Sequence, residues 1–329
     1  MKLDNNQTLN HAITAHKEGK LDEAERLYLE ILKVEPKNGD ANHNLGVLKV
    51  LMNQSASAIP LFKTAIEVYP DIVQFWFSYG GALINEKKFE EAELTYSKII
   101  KLNPNFVEAY NNLGVSQENL DKLEEAELSF KKAIELKPNY AEAHNSLGFI
   151  LYNLARYEEC EIVYKKAIEL RPDYPEAFNN LAIVYYDLGK YDAAEVSYKK
   201  AIELRPNYAE AYNNLGNTLN KIGKFEDAVV CLKKAIDLKP KLAEAHNNLA
   251  HTLKNLNRFN ESEVSYQKYI SLNSDFVAIA HHINKGDWKI SKNLLDIMCT
   301  KKIFDTKRNI KEFIALWCLY CSKLLANGD

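Results

Sequence analysis

The side chains that could carry chemistry in this chain fall into three groups: eight histidines, five cysteines and a long series of asparagines. The first two are not arranged for catalysis. No Ser-His-Asp or Cys-His order can be argued, no glycine-rich phosphate loop appears, and no His-Glu-x-x-His motif is present. Cys160, Cys231, Cys299, Cys318 and Cys321 are odd in number and irregular in spacing, which argues against a disulfide framework and fits a reducing compartment. Cys318 and Cys321, with His281, His282 and Cys299, invite a metal reading. Zinc knuckles hold their cysteines in tight turns, however, and this pair stands in an apolar helical run, so buried structural thiols are expected. Neither a metal nor a cofactor is called for.

The asparagines recur. Asn44, Asn112, Asn180, Asn214 and Asn248, with Ser78 and Ser146 in the gaps, occupy one position of a 34-residue period, and Asn111, Asn145, Asn179, Asn213 and Asn247 stand beside it. Each primary amide has two donors and an acceptor, so one amide per repeat can pair with the backbone of an extended peptide without reading its side chains. The same amides can instead bridge neighbouring helices. Asn217, one helical turn on from Asn213, extends the polar row.

The elements that must position this row follow from the same period. Apolar residues at three- and four-residue intervals, as in Tyr212, Leu215, Leu219 and Ile222 and then Ala228, Leu232, Ala235 and Ile236, predict two helices per unit. Between them, at the fifteenth position, Gly19, Asn53, Asp121, Gly189, Gly223 and Asn257 tolerate the left-handed conformation that ends a helix, whereas Lys87 and Ala155 depart from the rule and imply turns built differently. The second helix stops before Pro36, Pro70, Pro104, Pro138, Pro172, Pro206 or Pro240. Asn105, Asn139, Asp173 and Asn207 then stand where a cap of the next helix is expected, with Glu108, Glu142, Glu176 and Glu210 three residues on, as in a capping box.

Small residues set the packing. Gly46, Gly80, Gly114, Gly148, Ala182, Gly216 and Ala250 fill the eighth position and Ala24, Ala58, Ala92, Ala126, Ala194 and Ala228 the twentieth, with larger neighbours such as Phe130, Tyr164 and Tyr198 beside them. Lys131-Lys132, Lys165-Lys166, Lys199-Lys200 and Lys233-Lys234 precede Glu135, Glu169, Glu203 and Asp237 at ion-pair spacing, which suits a solvated outer face.

This pattern resembles the tetratricopeptide repeat family over eight units, 5–38, 39–72, 73–106, 107–140, 141–174, 175–208, 209–242 and 243–276, strongest from 107 to 242. The resemblance implies an all-α, right-handed solenoid of antiparallel helix pairs whose first helices line a concave, peptide-binding groove. One subtype clamps a C-terminal carboxylate with Lys and Asn at the fifth and ninth positions. Here those positions read His43/Val47, Phe77/Gly81, Asn111/Val115, Asn145/Phe149, Asn179/Ile183, Asn213/Asn217 and Asn247/His251, so the basic clamp is missing. The asparagine row is similar to the superhelix that precedes the catalytic domain of O-linked N-acetylglucosamine transferases. That likeness covers the repeats only, and an enzymatic reading calls for a catalytic portion beyond Asp329.

Residues 277–329 leave the repeat and are expected to form a helical cap, with Trp317 and Tyr320 on an aromatic helix that either covers the last unit or pairs with a second copy. A formal charge of -3, without a basic stripe, argues against nucleic acid. The start of the chain lacks a secretory pattern and no segment has the apolar length of a membrane span, so a cytoplasmic protein is expected. The reading is a non-catalytic scaffold that holds a protein or extended peptide. The alternative is the substrate-recruiting part of a glycosyltransferase.

Overall fold

In the computed structural model, which describes residues 5–272, the chain forms sixteen α-helices and no strand among the described residues. They fall into two compact units, Met1–Asp173 and Tyr174–Asp329. The first holds α1 (Asn5–Lys17), α2 (Leu21–Val34), α3 (Gly39–Leu51), α4 (Ser55–Val68), α5 (Val73–Asn85), α6 (Phe89–Leu102), α7 (Val107–Asn119), α8 (Leu123–Leu136), α9 (Ala141–Asn153) and α10 (Tyr157–Leu170). The second holds α11 (Pro175–Asp187), α12 (Tyr191–Leu204), α13 (Ala209–Lys221), α14 (Phe225–Leu238), α15 (Ala243–Asn255) and α16 (Phe259–Leu272). Odd-numbered helices are the first of each pair. The segment 277–329, read from sequence as a cap, lies outside the described residues.

The turn inside each pair is the same everywhere. Gly19, Asn53, Asp121, Gly189, Gly223 and Asn257 all take positive φ, and so do Lys87 and Ala155, both at 56°. The expectation of two differently built turns is therefore corrected. At Ala155 the Arg156 N–H donates to Leu151 O at 2.9 Å, and at Gly223 the Lys224 N–H donates to Leu219 O at 2.9 Å. This Schellman bond and the packing of the two flanking helices hold the residue left-handed, whatever its side chain, against a local cost of about 1–2 kcal/mol.

Helix entry also differs from the sequence expectation. The residues flanking α7, α9, α11 and α13 are Phe106, Tyr140, Tyr174 and Tyr208, none of which makes a side-chain cap bond. Asn105, Asn139, Asp173 and Asn207 stand one residue too early, in the turn after the proline. Asn38 does cap α3, accepting from the Ala41 N–H at 3.0 Å. The glutamates act elsewhere: Glu142 pairs with Arg171, Glu176 with Arg205, and Glu210 with Lys239, tying the start of each first helix to the end of its partner. The proline carbonyl that closes the preceding unit is taken up by the fourth residue of the next first helix. Asn42 Nδ2 donates to Pro36 O at 2.9 Å and Trp76 Nε1 to Pro70 O at 2.7 Å. His144 Nε2 and His246 Nε2 lie 3.0 and 3.1 Å from Pro138 O and Pro240 O, so each of these nitrogens carries the proton.

The core lies between the two helices of a pair. A Cβ placed on Gly46, Gly80, Gly114 or Gly148 would come within 2.6 to 2.8 Å of the ring of Phe62, Tyr96, Phe130 or Tyr164, and one on Gly216 would come within 2.6 Å of Leu232. The missing side chain is what lets the ring, fully or almost fully buried, lie on the helix backbone. Within each unit, first helices touch the next first helices directly, α1 with α3, α3 with α5, α7 with α9, α11 with α13 and α13 with α15. The first-helix layer is thus the tightly spaced, inner side of the stack.

Replacing Ala155 by Gly removes the left-handed cost and should raise unfolding stability by about 1 kcal/mol; an unchanged or lower urea midpoint would show that the turn relaxes. Gly216→Leu overpacks Leu232 and should cost about 1–3 kcal/mol by the same assay.

Candidate functional site

The asparagine row lies on the inner layer, and its amides are bonded to one another. In the Tyr174–Asp329 unit, Asn248 Nδ2 donates to Asn213 Oδ1 at 3.0 Å, Asn213 Nδ2 to Asn214 Oδ1 at 3.2 Å, Asn214 Nδ2 to Asn179 Oδ1 at 3.4 Å, and Asn179 Nδ2 to Asn180 Oδ1 at 3.3 Å. Asn214 and Asn248 each reach back to the fifth-position amide of the repeat before. The fifth-position members Asn179 and Asn213 are buried, whereas Asn180, Asn214 and Asn248 are half-buried and edge toward solvent. Asn217, also half-buried, donates to Tyr186 Oη at 3.0 Å.

In the Met1–Asp173 unit the row is broken. Asn111 Nδ2 donates to Asn112 Oδ1 at 3.3 Å, and Asn112 Nδ2 donates to the Tyr96 hydroxyl at 3.1 Å. Where Ser78 replaces the sixth-position amide, its hydroxyl donates to Gln74 O at 3.1 Å, so His43 Nε2, 3.0 Å away, supplies the proton of the inter-helix bond. His43 stacks on Phe75 with ring centroids 4.1 Å apart, and burial holds its pKa below the ordinary value in spite of a bond to Asn44. Where Ser146 replaces the amide, the buried Asn111 Oδ1 has no hydrogen-bond partner among the described residues. Asn145 and Asn44 are half-buried on the same layer.

The two serines have a sequence signal that reading the row alone does not reveal. They follow the repeats whose twenty-fourth residue is Phe62 or Phe130, while Asn44, Asn112, Asn180 and Asn214 follow Tyr28, Tyr96, Tyr164 and Tyr198, and Asn248 follows Leu232. At one of them the Asn112–Tyr96 bond shows a use for the pairing, since a buried phenol needs a partner and a phenyl does not. Tyr28 shows the cost of failure. Its hydroxyl is buried without a partner among the described residues, and burial pushes its pKa up to about 12.

Beside the amides, the ninth and twelfth positions of the first helices complete the inner face. In the first unit these include Val47, Val50, Ile84 and Val115, all half-buried, Phe149 at 40% exposure, and Gly81, above which there is open space. In the second unit they turn polar, with Tyr186, Asn217, Asn220 and His251.

Family models described as "TPR repeat" match residues 156–189, 184–223 and 216–257, and others described as "Tetratricopeptide repeat" match 50–105, 107–140, 129–162 and 243–276. The chain belongs to the tetratricopeptide repeat family. No curated protein matches it in sequence. Among solved structures it is similar to the Cut9–Hcn1 hetero-tetramer of the APC/C, at 16% identity and a TM-score of 0.60, over 77% of this chain and 50% of that one. It is also similar to pilF of Pseudomonas aeruginosa, at 19% identity and a TM-score of 0.55 over 59% of this chain and 88% of that one. A third likeness is to YrrB, titled a TPR protein with an unusual peptide-binding site, at 23% identity and a TM-score of 0.47 over 55% of this chain and 93% of that one. At these identities the likeness is one of fold.

The outer face of the tetratricopeptide pairs is laced with ion pairs, more than the lysine doublets alone implied. Lys132, Lys166 and Lys200 pair forward with Glu135, Glu169 and Glu203. Lys131, Lys165 and Lys199 reach back to Glu127, Glu161 and Glu195. Glu127 and Glu195 also cross to the next pair, to Arg156 at 2.8 Å and Lys224 at 2.9 Å. Cys160 is buried and donates Sγ to Gly148 O at 3.0 Å, and burial pushes its thiol up to about 12, far from a nucleophile's range. Among the described residues no group of His, Cys, Asp and Glu is placed to hold a metal, and no helix is long and apolar enough to cross a membrane. Cys299, Cys318, Cys321, His281 and His282 lie outside the described residues.

Ser146→Asn should supply the missing donor to Asn111 Oδ1 and raise stability by about 1 kcal/mol in chemical denaturation; a loss would show that the gap is sterically closed. Hydrogen bonds from Lys199 and Lys224 hold the Glu195 carboxyl below its ordinary range. Its contribution to stability is therefore present above the ordinary carboxylate value, about 4.3, and is lost as pH falls below it. Glu195→Gln should cost about 1 kcal/mol at pH 7, with the difference from the native chain shrinking in melts below pH 4.

Proposed function

We propose that this tetratricopeptide protein is a non-catalytic cytoplasmic scaffold that holds an extended polypeptide against the inner face of its first helices. The observation that carries the reading is the spare capacity of the amide row. Asn214 donates once and accepts once within the row, which leaves it one N–H and one lone pair on a half-buried side chain. Asn112, Asn180 and Asn248 stand at the same position of their units. An extended backbone alternates N–H and C=O groups, so amides that retain both functions, as Asn112 and Asn214 do, suit it whatever its side chains. The fifth-position amides Asn111, Asn145, Asn179 and Asn213 then act chiefly as supports, fixing the angle of the outer ones, and Asn217 continues the polar strip.

The same regular row favours, as a second reading, a substrate-recruiting region of the kind found before the catalytic domain of O-linked N-acetylglucosamine transferases. Both readings place the polypeptide on the same face. A pairing of two copies through Trp317 and Tyr320 is a further proposal, and those residues lie outside the described ones.

A photo-crosslinking amino acid introduced in place of half-buried Val115 on the inner face, or of Leu128, 69% exposed on α8, separates the faces. Incubated with cell extract and mapped by mass spectrometry, the Val115 probe should capture polypeptide ligands that the Leu128 probe does not. Capture at Leu128 alone would overturn the reading.

A further inference from the structure

One carboxylate on the inner layer has no partner. Glu118 is the twelfth residue of α7's unit and is half-buried. Among the described residues it makes no hydrogen bond or ion pair, and burial alone raises its pKa above the ordinary value. The other buried or half-buried glutamates around it behave differently: Glu142 has Arg171, and Glu127 has Lys131 and Arg156. A desolvated carboxylate without a cation costs stability and is normally removed or paired. Its retention on this face is the feature that needs an account.

The repeat itself says what stands next to it. In the second unit the twelfth residue of one first helix meets the ninth residue of the next, since Asn217 Nδ2 donates to Tyr186 Oη at 3.0 Å. The thirteenth residue of the next helix closes the other side, since Asn255 Nδ2 donates to Asn220 Oδ1 at 3.1 Å. In the first unit the corresponding neighbours of Glu118 are Phe149, whose ring is 40% exposed, and Asn153, which is exposed. The carboxylate and the aromatic ring thus take the places that Tyr186 and Asn217 fill with a mutual hydrogen bond. Glutamate and phenylalanine cannot make that bond to each other. By that register a carboxylate and a partly exposed aromatic side chain are neighbours, the combination that receives a cation through a charge-assisted hydrogen bond on one side and a cation–π contact on the other. Val115, half-buried and one turn before Glu118, offers an apolar surface alongside for the stem of a long side chain.

We propose that Glu118 and Phe149 form a receptor for a basic side chain, arginine or lysine, of the polypeptide held on the inner face of the Met1–Asp173 unit. The proposal rests on the binding reading above and specifies its ligand. The amide row reads the backbone without regard to sequence, and this pair supplies one point of side-chain selection, with arginine favoured because its planar group can engage the carboxylate in two parallel bonds and stack on the ring.

The test uses the full chain and a positional library of twelve-residue synthetic peptides, in which one position is fixed as Arg, Lys, Gln, Leu or Glu within a degenerate Ala, Ser and Leu background. Retention by the native chain, Glu118→Gln and Phe149→Ala is measured at low and moderate salt. The native chain should retain Arg and Lys pools about five- to tenfold over the Gln pool. Glu118→Gln should bring that ratio to about one while still retaining the Gln and Leu pools, and Phe149→Ala should lower it for Arg more than for Lys. Glu118→Gln should also melt no lower than the native chain, because it relieves an unpaired charge. A lower melting temperature would show that Glu118 has a structural partner and would overturn the proposal. Equal retention of all pools, lost on Val115→Arg, would overturn the cation receptor and keep the inner-face reading. Retention unaffected by Val115→Arg would overturn both.

Discussion

The helix pairs of this structure depend on a bulky side chain, most often a ring, lying on a stretch of helix backbone that carries little or no side chain of its own. Tyr96, Phe130 and Tyr164 are almost wholly buried because Gly80, Gly114 and Gly148 carry no side chain to hold them off. That contact fixes the distance between the two helices of a pair. The inter-helix distance in turn fixes where the first helix presents its remaining faces, one toward its partner, one toward the next pair, and one toward solvent. Ala12 and Ala182 show that a single methyl is accommodated, beneath Tyr28 and Tyr198, so the constraint is on bulk and not on glycine as such. Each unit is a weak structure alone, and the stack is stable because the same contact recurs and neighbours bury one another's edges.

The hydroxyl of that ring links packing to the inner face. Asn112 bonds Tyr96 on one side and Asn111 on the other, so a core residue, a bridging amide and a buried amide form one connected group. In the Tyr174–Asp329 unit the linkage runs through Asn248, Asn213, Asn214, Asn179 and Asn180 without a break. The asparagines therefore serve architecture first. What they offer a ligand is what is left over, and because Asn112 and Asn214 are held from both sides, their leftover donors and acceptors are presented at fixed angles. Preorganised groups of that kind lose little freedom on binding. The outer face follows another logic: Glu127 and Glu195, themselves buried, each bridge a lysine on their own helix and a basic residue of the next pair, whose more open side chains carry the charge toward solvent.

Helix ends, the pairing of helices and the glycine-ring contact were legible in the chain itself. Periodicity, the proline stops and the small residues all report local or nearest-neighbour geometry, and a repeat states that geometry eight times over. Helix entry was misread by one residue, because Asn105, Asn139 and Asn207 have good capping chemistry but stand in the turn that the proline imposes. Lys87 and Ala155 were misread because backbone strain in a turn is decided by the helices on either side of it, not by the residue that bears it.

The sequence by itself determined that an asparagine row exists, at which position it recurs and where Ser78 and Ser146 interrupt it. Only the tertiary structure decided that the fifth-position amides turn inward and the sixth-position amides bridge, since the two sit next to each other in the chain and differ only in which neighbouring helix they meet. It alone separated Glu118, left without a partner, from Glu127 and Glu195, which are paired, because a carboxylate's partners come from adjacent helices about thirty residues away. Spacing along a chain fixes which face of a helix a residue occupies. What that face touches is fixed by packing.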